Sequence, residues 1–174
     1  MKFLIFIPPK DFRDESLSLV KLFFDKWGIR YDITSYTSNE CIGTHGAAVR
    51  PDIHTSKVNS NYYDGIVLID GKGIEDYKLF DYRPLLDIMY IFNESHKQII
   101  SISNSIKIPA RANIVRGKKI STDMSDPESR RLILLFHGEL SDNAYEMAGN
   151  LISIRNGTDI EETMPQILEH IGAT

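Results

Sequence analysis

The sequence predicts an α/β fold built on a mostly parallel sheet with helices on both faces. Three observations carry this. Short runs that are apolar at nearly every position recur at 2–8, 66–69 and 98–102, as in strands buried on both sides. Segments with helical spacing of apolar residues lie between them. Each run ends in a polar or glycine-bearing turn: Pro8-Pro9-Lys10, Asp70-Gly71-Lys72-Gly73 and Ser103-Asn104-Ser105.

Residues 2–8 read as the first strand. Asp14 to Trp27 reads as an amphipathic helix with Leu17, Val20, Leu22, Phe23, Phe24 and Trp27 near helical spacing, ended by Gly28. Tyr31 to Tyr36 alternates as a strand does. Cys41 to Ile53, with Gly43 and Gly46, reads as a hairpin or a pair of short strands. Ile66–Ile69 is the second buried strand, and Pro84 to Glu94 is a helix with Leu85, Leu86, Ile88, Met89, Ile91 and Phe92 inward. Gln98–Ile102 is the third buried strand, followed by a turn and a helix. Ser125-Asp126-Pro127-Glu128 predicts a helix start with Ser125 as its cap. Tyr145–Met147 and Leu151–Ile154 read as strands. Thr158-Asp159-Ile160-Glu161 reads as a capping box for a last helix, which Pro165 should kink or restart. The length, 174 residues, suits a single domain over 1–174.

With 42% apolar and 25% charged residues, the composition is that of a water-soluble globular chain. The net charge is −4 and no run of one sign is long, which argues against nucleic acid as a partner. No apolar run approaches a membrane span, and the N-terminal run is too short for a signal peptide. A cytoplasmic location is expected. Cys41 is the only cysteine, so neither an intrachain disulfide nor a cysteine metal cluster can form. Beside Ile42-Gly43 it reads as buried packing. Nothing has metal-ligand spacing, and no cofactor is called for.

In a parallel sheet, ligands bind at the carboxyl ends of the strands. The turns at Pro8–Glu15, Asp70–Gly73 and Ser103–Ser105 are therefore expected to meet. The strand, sharp turn and helix around Ser103 form the arrangement that presents a nucleophile in α/β hydrolases. However, Ser101 and Ser105 hold the glycine positions of that motif.

Those segments also carry a family likeness. Phe12-Arg13-Asp14-Glu15-Ser16-Leu17, Gly43-Thr44-His45-Gly46, Tyr63 to Gly71, the 99–121 stretch with Val115-Arg116-Gly117-Lys118-Lys119, and Gly149 to Arg155 appear in the order found in the ThiJ/PfpI family. The chain resembles that family, within the class I glutamine-amidotransferase-like superfamily, over nearly its whole length. The resemblance implies a flavodoxin-like three-layer sandwich and a homo-oligomer, a dimer or a hexamer. It sets Ser103 at the position of the usual cysteine nucleophile, Asn104 at that of the usual histidine and Ser105 at that of the usual glycine. Arg13 falls where an acidic residue is expected, Asp70-Gly71 replaces two glycines, and Arg155-Asn156 replaces an arginine-histidine pair.

Serine needs a base more than cysteine does, because its hydroxyl is far less acidic. Asparagine cannot accept a proton at neutral pH. The chain has five histidines, His45, His54, His96, His137 and His170; by the family pattern His45, in the early hairpin, and His96, at the far end of the elbow strand, are not well placed to replace it, and His137 follows a helix with no position assigned by the pattern. The favoured reading is a catalytically degenerate protein whose former nucleophile pocket binds a small anion, a carboxylate or a phosphate. Arg13 supplies the charge, Gly71 a backbone N–H at the oxyanion position, and Asn104 and Ser105 the N–H groups of a helix start. The alternative is a hydrolase of the peptidase, amidase or glyoxalase/deglycase kind with Ser103 as nucleophile.

Overall fold

The computed structural model describes residues 1–172. Its central sheet has seven strands. In chain order these are β1 (Lys2–Phe6), β3 (Arg30–Ser35), β6 (Ile53–His54), β7 (Gly65–Leu68), β8 (Gln98–Ile102), β11 (Tyr145–Ala148) and β12 (Leu151–Ile154). Their spatial order is β11-β12-β8-β7-β1-β3-β6, parallel throughout except for the β11 edge, which runs antiparallel to β12. A small sheet joins β2 (Lys10–Phe12), β4 (Cys41–Gly43) and β5 (Ala48–Val49). A parallel pair joins β9 (Lys119–Ser121) to β10 (Glu139–Ser141).

Strand alternation sends successive side chains to opposite faces, and here both faces are covered. Phe3, Ile5, Val67, Ile100 and Ile152 pack with α1 (Asp14–Lys26) and α6 (Ile160–His170). Leu4, Phe6, Ile66, Leu68 and Ile99 pack on the other side with α3 (Arg83–Glu94), α4 (Lys107–Arg111) and α5 (Pro127–Leu135). A short helix α2 (Gly73–Asp76) follows the β7 turn. Fully burying such a side chain stabilises the fold by roughly 1.5–3 kcal/mol. This is the flavodoxin-like sandwich expected from the sequence.

Three local expectations are corrected. The cap of α5 is Asp126, which accepts from the Glu128 N–H (3.2 Å) and the Ser129 hydroxyl (2.7 Å). Ser125 turns back to Asp123 instead. No capping box forms at Thr158; a 3-10 turn (Gly157–Asp159) leads into α6, and Thr163 bonds the Asp159 carbonyl. On α3, Ile91 is exposed and not inward, because it falls off the stripe that Leu85, Ile88, Met89 and Phe92 make at helical spacing.

Candidate functional site

The three predicted turns do meet above the carboxyl ends of β1, β7 and β8. The Arg13 N–H donates to the Asp70 carbonyl (2.8 Å), Phe12 bridges Gly71, and Gly71 pairs with Asn104. Gly71 has φ +144°, and a Cβ there would collide with the backbone of Asp11 to Arg13. Only glycine lets the β7 turn approach the first loop so closely.

Ser103 directly follows β8 with φ +48°, in the left-handed region that a non-glycine residue adopts only under constraint. A 3-10 turn (Ser103–Ile106) and α4 follow. The constraint comes from Ser105. Its hydroxyl accepts from the Ile102 N–H (2.8 Å) and donates to the Leu68 carbonyl (2.9 Å), tying the ends of β7 and β8 together. Ser105 is fully buried, so its side chain belongs to the scaffold. The Thr122 hydroxyl reaches the Ser103 carbonyl at 3.4 Å. Among the described residues no histidine hydrogen-bonds Ser103. His45 pairs with Glu15 (2.6 Å) and His54 with Ser56 (2.8 Å).

Asn104 is held in two directions at once. Its Oδ1 accepts from the Gly71 N–H (3.2 Å), and its Nδ2 donates to the Gly71 carbonyl (2.8 Å). The N–H expected to serve as a free oxyanion donor is therefore already engaged by a neighbouring side chain.

Arg13 caps α1 by position but not by a side-chain bond. Its guanidinium donates to the Ser16 hydroxyl (3.0 Å), passes 3.9 Å from Glu15 and packs on Gly157, where any Cβ would strike it. The loop carrying Gly157 is fixed by Arg155, which bonds Asp159 through two nitrogens (3.1 and 3.0 Å). Asp14 binds the hairpin across the site, accepting from the His45 and Ala47 N–H groups (both 2.9 Å). Although desolvation acts the other way, those two bonds hold its carboxyl below the usual range.

Sequence reasoning did not single out Asp70. It is 5% exposed, and among the described residues its Oδ1 has no hydrogen-bond partner. Burial pushes its carboxyl up to about 6, against the opposing pull of Ser16 and the Arg13 charge. A carboxylate closing the apolar run Ile66-Val67-Leu68-Ile69 was the signal for it. Cys41 is buried and free, and burial raises its thiol, the state of an inert packing cysteine.

A seven-stranded α/β sandwich with a strained residue at the end of a central strand defines a class of protein, and comparison places the chain within it. The chain belongs to the DJ-1/PfpI family, whose model matches residues 1–170. It is 31% identical over 155 residues to "Uncharacterized protein MJ0967" of Methanocaldococcus jannaschii, spanning 89% of this chain and 75% of that protein. It is 25% identical over 165 residues to "Deglycase PH1704" of Pyrococcus horikoshii, spanning 95% of this chain and 96% of the relative. Among solved structures, a ThiJ/PfpI domain protein from Brachyspira murdochii superposes with a TM-score of 0.91 at 17% identity, spanning 99% and 97% of the two chains. DJ-1beta of Drosophila melanogaster superposes with a TM-score of 0.84 at 16% identity, spanning 99% and 91%. No helix among the described residues is long and apolar enough to cross a membrane.

Proposed function

We propose that this chain keeps the nucleophile elbow of its family as architecture, has lost the hydrolytic chemistry, and binds a small carboxylate or phosphate against Arg13. In this reading Ser103 and Asn104 replace the usual cysteine and histidine. The observation that carries it is the double bond pair between Asn104 and Gly71. A side chain that donates and accepts in fixed directions cannot also take a proton from Ser103, and it occupies the N–H that would stabilise an oxyanion. Arg13 supports the anion. Among the described residues its guanidinium makes one hydrogen bond, to Ser16, so most of its five donors remain available for a planar anionic group. The backbone N–H groups of Asn104 and Ser105 lie in the first turn after β8.

Calorimetric titration with phosphate, acetate and succinate tests this. The native protein is expected to bind at least one of them saturably. Ser103→Ala should keep that affinity, and Arg13→Glu should lower it roughly tenfold or more. Unchanged binding in Arg13→Glu would sink the anion site.

One observation favours a second reading, a hydrolase using Ser103. The left-handed φ of Ser103 is the strained presentation that nucleophiles adopt at such elbows. The Pyrococcus relative bears the name deglycase. This reading requires a base that reaches Ser103 only after rearrangement.

A further inference from the structure

Away from the elbow, two cavities of about 310 and 650 Å3 adjoin on the face built by α3, α4 and α5. Asp81 and Arg111 line both, so they stand at the junction. Phe80 and Leu135 wall the first cavity, and Leu86 and Tyr90 wall the second. Leu135 is 56% exposed and Tyr90 61%, although the opposite sides of their helices lie in the core. Large apolar side chains left open on adjoining cavities mark a face that another molecule covers.

The charges of this face say what covers it. Arg111 meets Asp81 (3.1 Å), Arg83 meets Asp87 (3.0 Å) and Arg131 meets Glu128 (3.1 Å). Glu75 and Lys107 hold each other (2.6 Å). Every charge in the two linings thus has an opposite partner, and a strongly acidic or strongly basic molecule gains nothing here. Leucine, tyrosine and paired arginines are the make-up of a protein interface. The chain as a whole carries −4, so two copies repel each other where that surplus lies and not on this face.

We propose that two copies of the chain meet here, about a two-fold axis through the Asp81–Arg111 junction. A two-fold interface must complement itself. This face does so, with an apolar cavity on each side of the junction and both signs of charge between them. The rotation lays Phe80 and Leu135 of one copy on the partner's Leu86 and the partner's Tyr90, and sets Arg111 beside the partner's Asp81. Exposed ion pairs within one chain contribute only about 0–1 kcal/mol, so exchanging them across the axis costs little.

Sedimentation velocity of the whole protein over about 1–100 µM tests this. The native chain should be a dimer at the upper end. Leu135→Asp and Tyr90→Asp should each weaken association roughly tenfold or more. Leu22→Asp, at a leucine of α1 that is 59% exposed, should leave it unchanged. All three side chains are more than half exposed, so the fold tolerates these changes. Arg111→Glu and Asp81→Arg should each be monomeric alone and should associate when mixed, because mixing restores only a contact between copies. A native chain that stays monomeric at about 100 µM would overturn the proposal. So would association that survives both Leu135→Asp and Tyr90→Asp, or that is lost in Leu22→Asp, or an absence of rescue on mixing.

Discussion

Asn104 and Gly71 grip each other across adjacent strand ends, with one hydrogen bond each way between a carboxamide and a single backbone unit. The pairing links the β7 turn to the β8 elbow, 33 residues apart in sequence. It stabilises the strand ends and, in the same act, occupies the backbone N–H that an oxyanion would need.

Removing the carboxamide should therefore be felt as lost stability. Asn104→Ala forfeits two hydrogen bonds, each worth roughly 0.5–1.5 kcal/mol net, so about 2 kcal/mol in all. In a chain of this size that is a fall in Tm of about 4–8 °C, read by calorimetry or circular dichroism. A change within 1 °C would mean that the pair contributes nothing.

Ser103 should show the opposite sign. A left-handed residue with a Cβ costs about 1 kcal/mol or more relative to glycine. Ser103→Gly is expected to raise Tm by about 2–4 °C. Ser103→Val should lower it, since β-branching is least tolerated at positive φ.

Asp70 predicts a pH dependence. Its folded carboxyl, at about 6, lies above the ordinary value of 3.8. The folded state therefore binds more protons than the unfolded chain between those values, and stability falls as pH rises through that window. The difference corresponds to roughly 3 kcal/mol at neutral pH and vanishes below both values. Asp70→Asn should thus gain stability over the native protein as pH rises from 4 to 7, by at most about 3 kcal/mol. Denaturant melts at several pH values check this. A gain that stayed constant or shrank with rising pH would contradict it.

The same group should govern anion affinity. Ionised Asp70 and Glu15 both oppose an anion at Arg13, whereas Asp14 is committed to the hairpin N–H groups. Protonation of Asp70 below about 6 should tighten phosphate or carboxylate binding roughly tenfold relative to pH 7.5. In Asp70→Asn most of the pH dependence should disappear.

Much of the fold could be read from local pattern. The all-apolar runs at 66–69 and 98–102 correspond to β7 and β8, and the helix expected over Asp14–Trp27 is α1, Asp14–Lys26. The parallel pair β9–β10 escaped notice because three-residue strands with few apolar positions carry no period. The α5 cap moved from Ser125 to Asp126 because Pro127 fixes the first helical position, and the residue before it is then the cap. At the elbow, residue types pointed to Ser103, Asn104 and Gly71. Their hydrogen bonds were invisible in sequence, since Asn104 and Ser105 find partners more than thirty residues away. Asp70 was passed over because its unusual state arises from burial, which no local motif encodes.

The most direct measurement is the intact mass of the native protein after exposure to a fluorophosphonate, with Ser103→Ala and heat-denatured protein as controls. With Asn104 locked on Gly71 and no histidine bonded to Ser103 among the described residues, the mass should stay unchanged in all three samples. A single adduct on the folded protein that disappears in Ser103→Ala would show an activated serine, and would contradict the loss of hydrolytic chemistry proposed for this elbow.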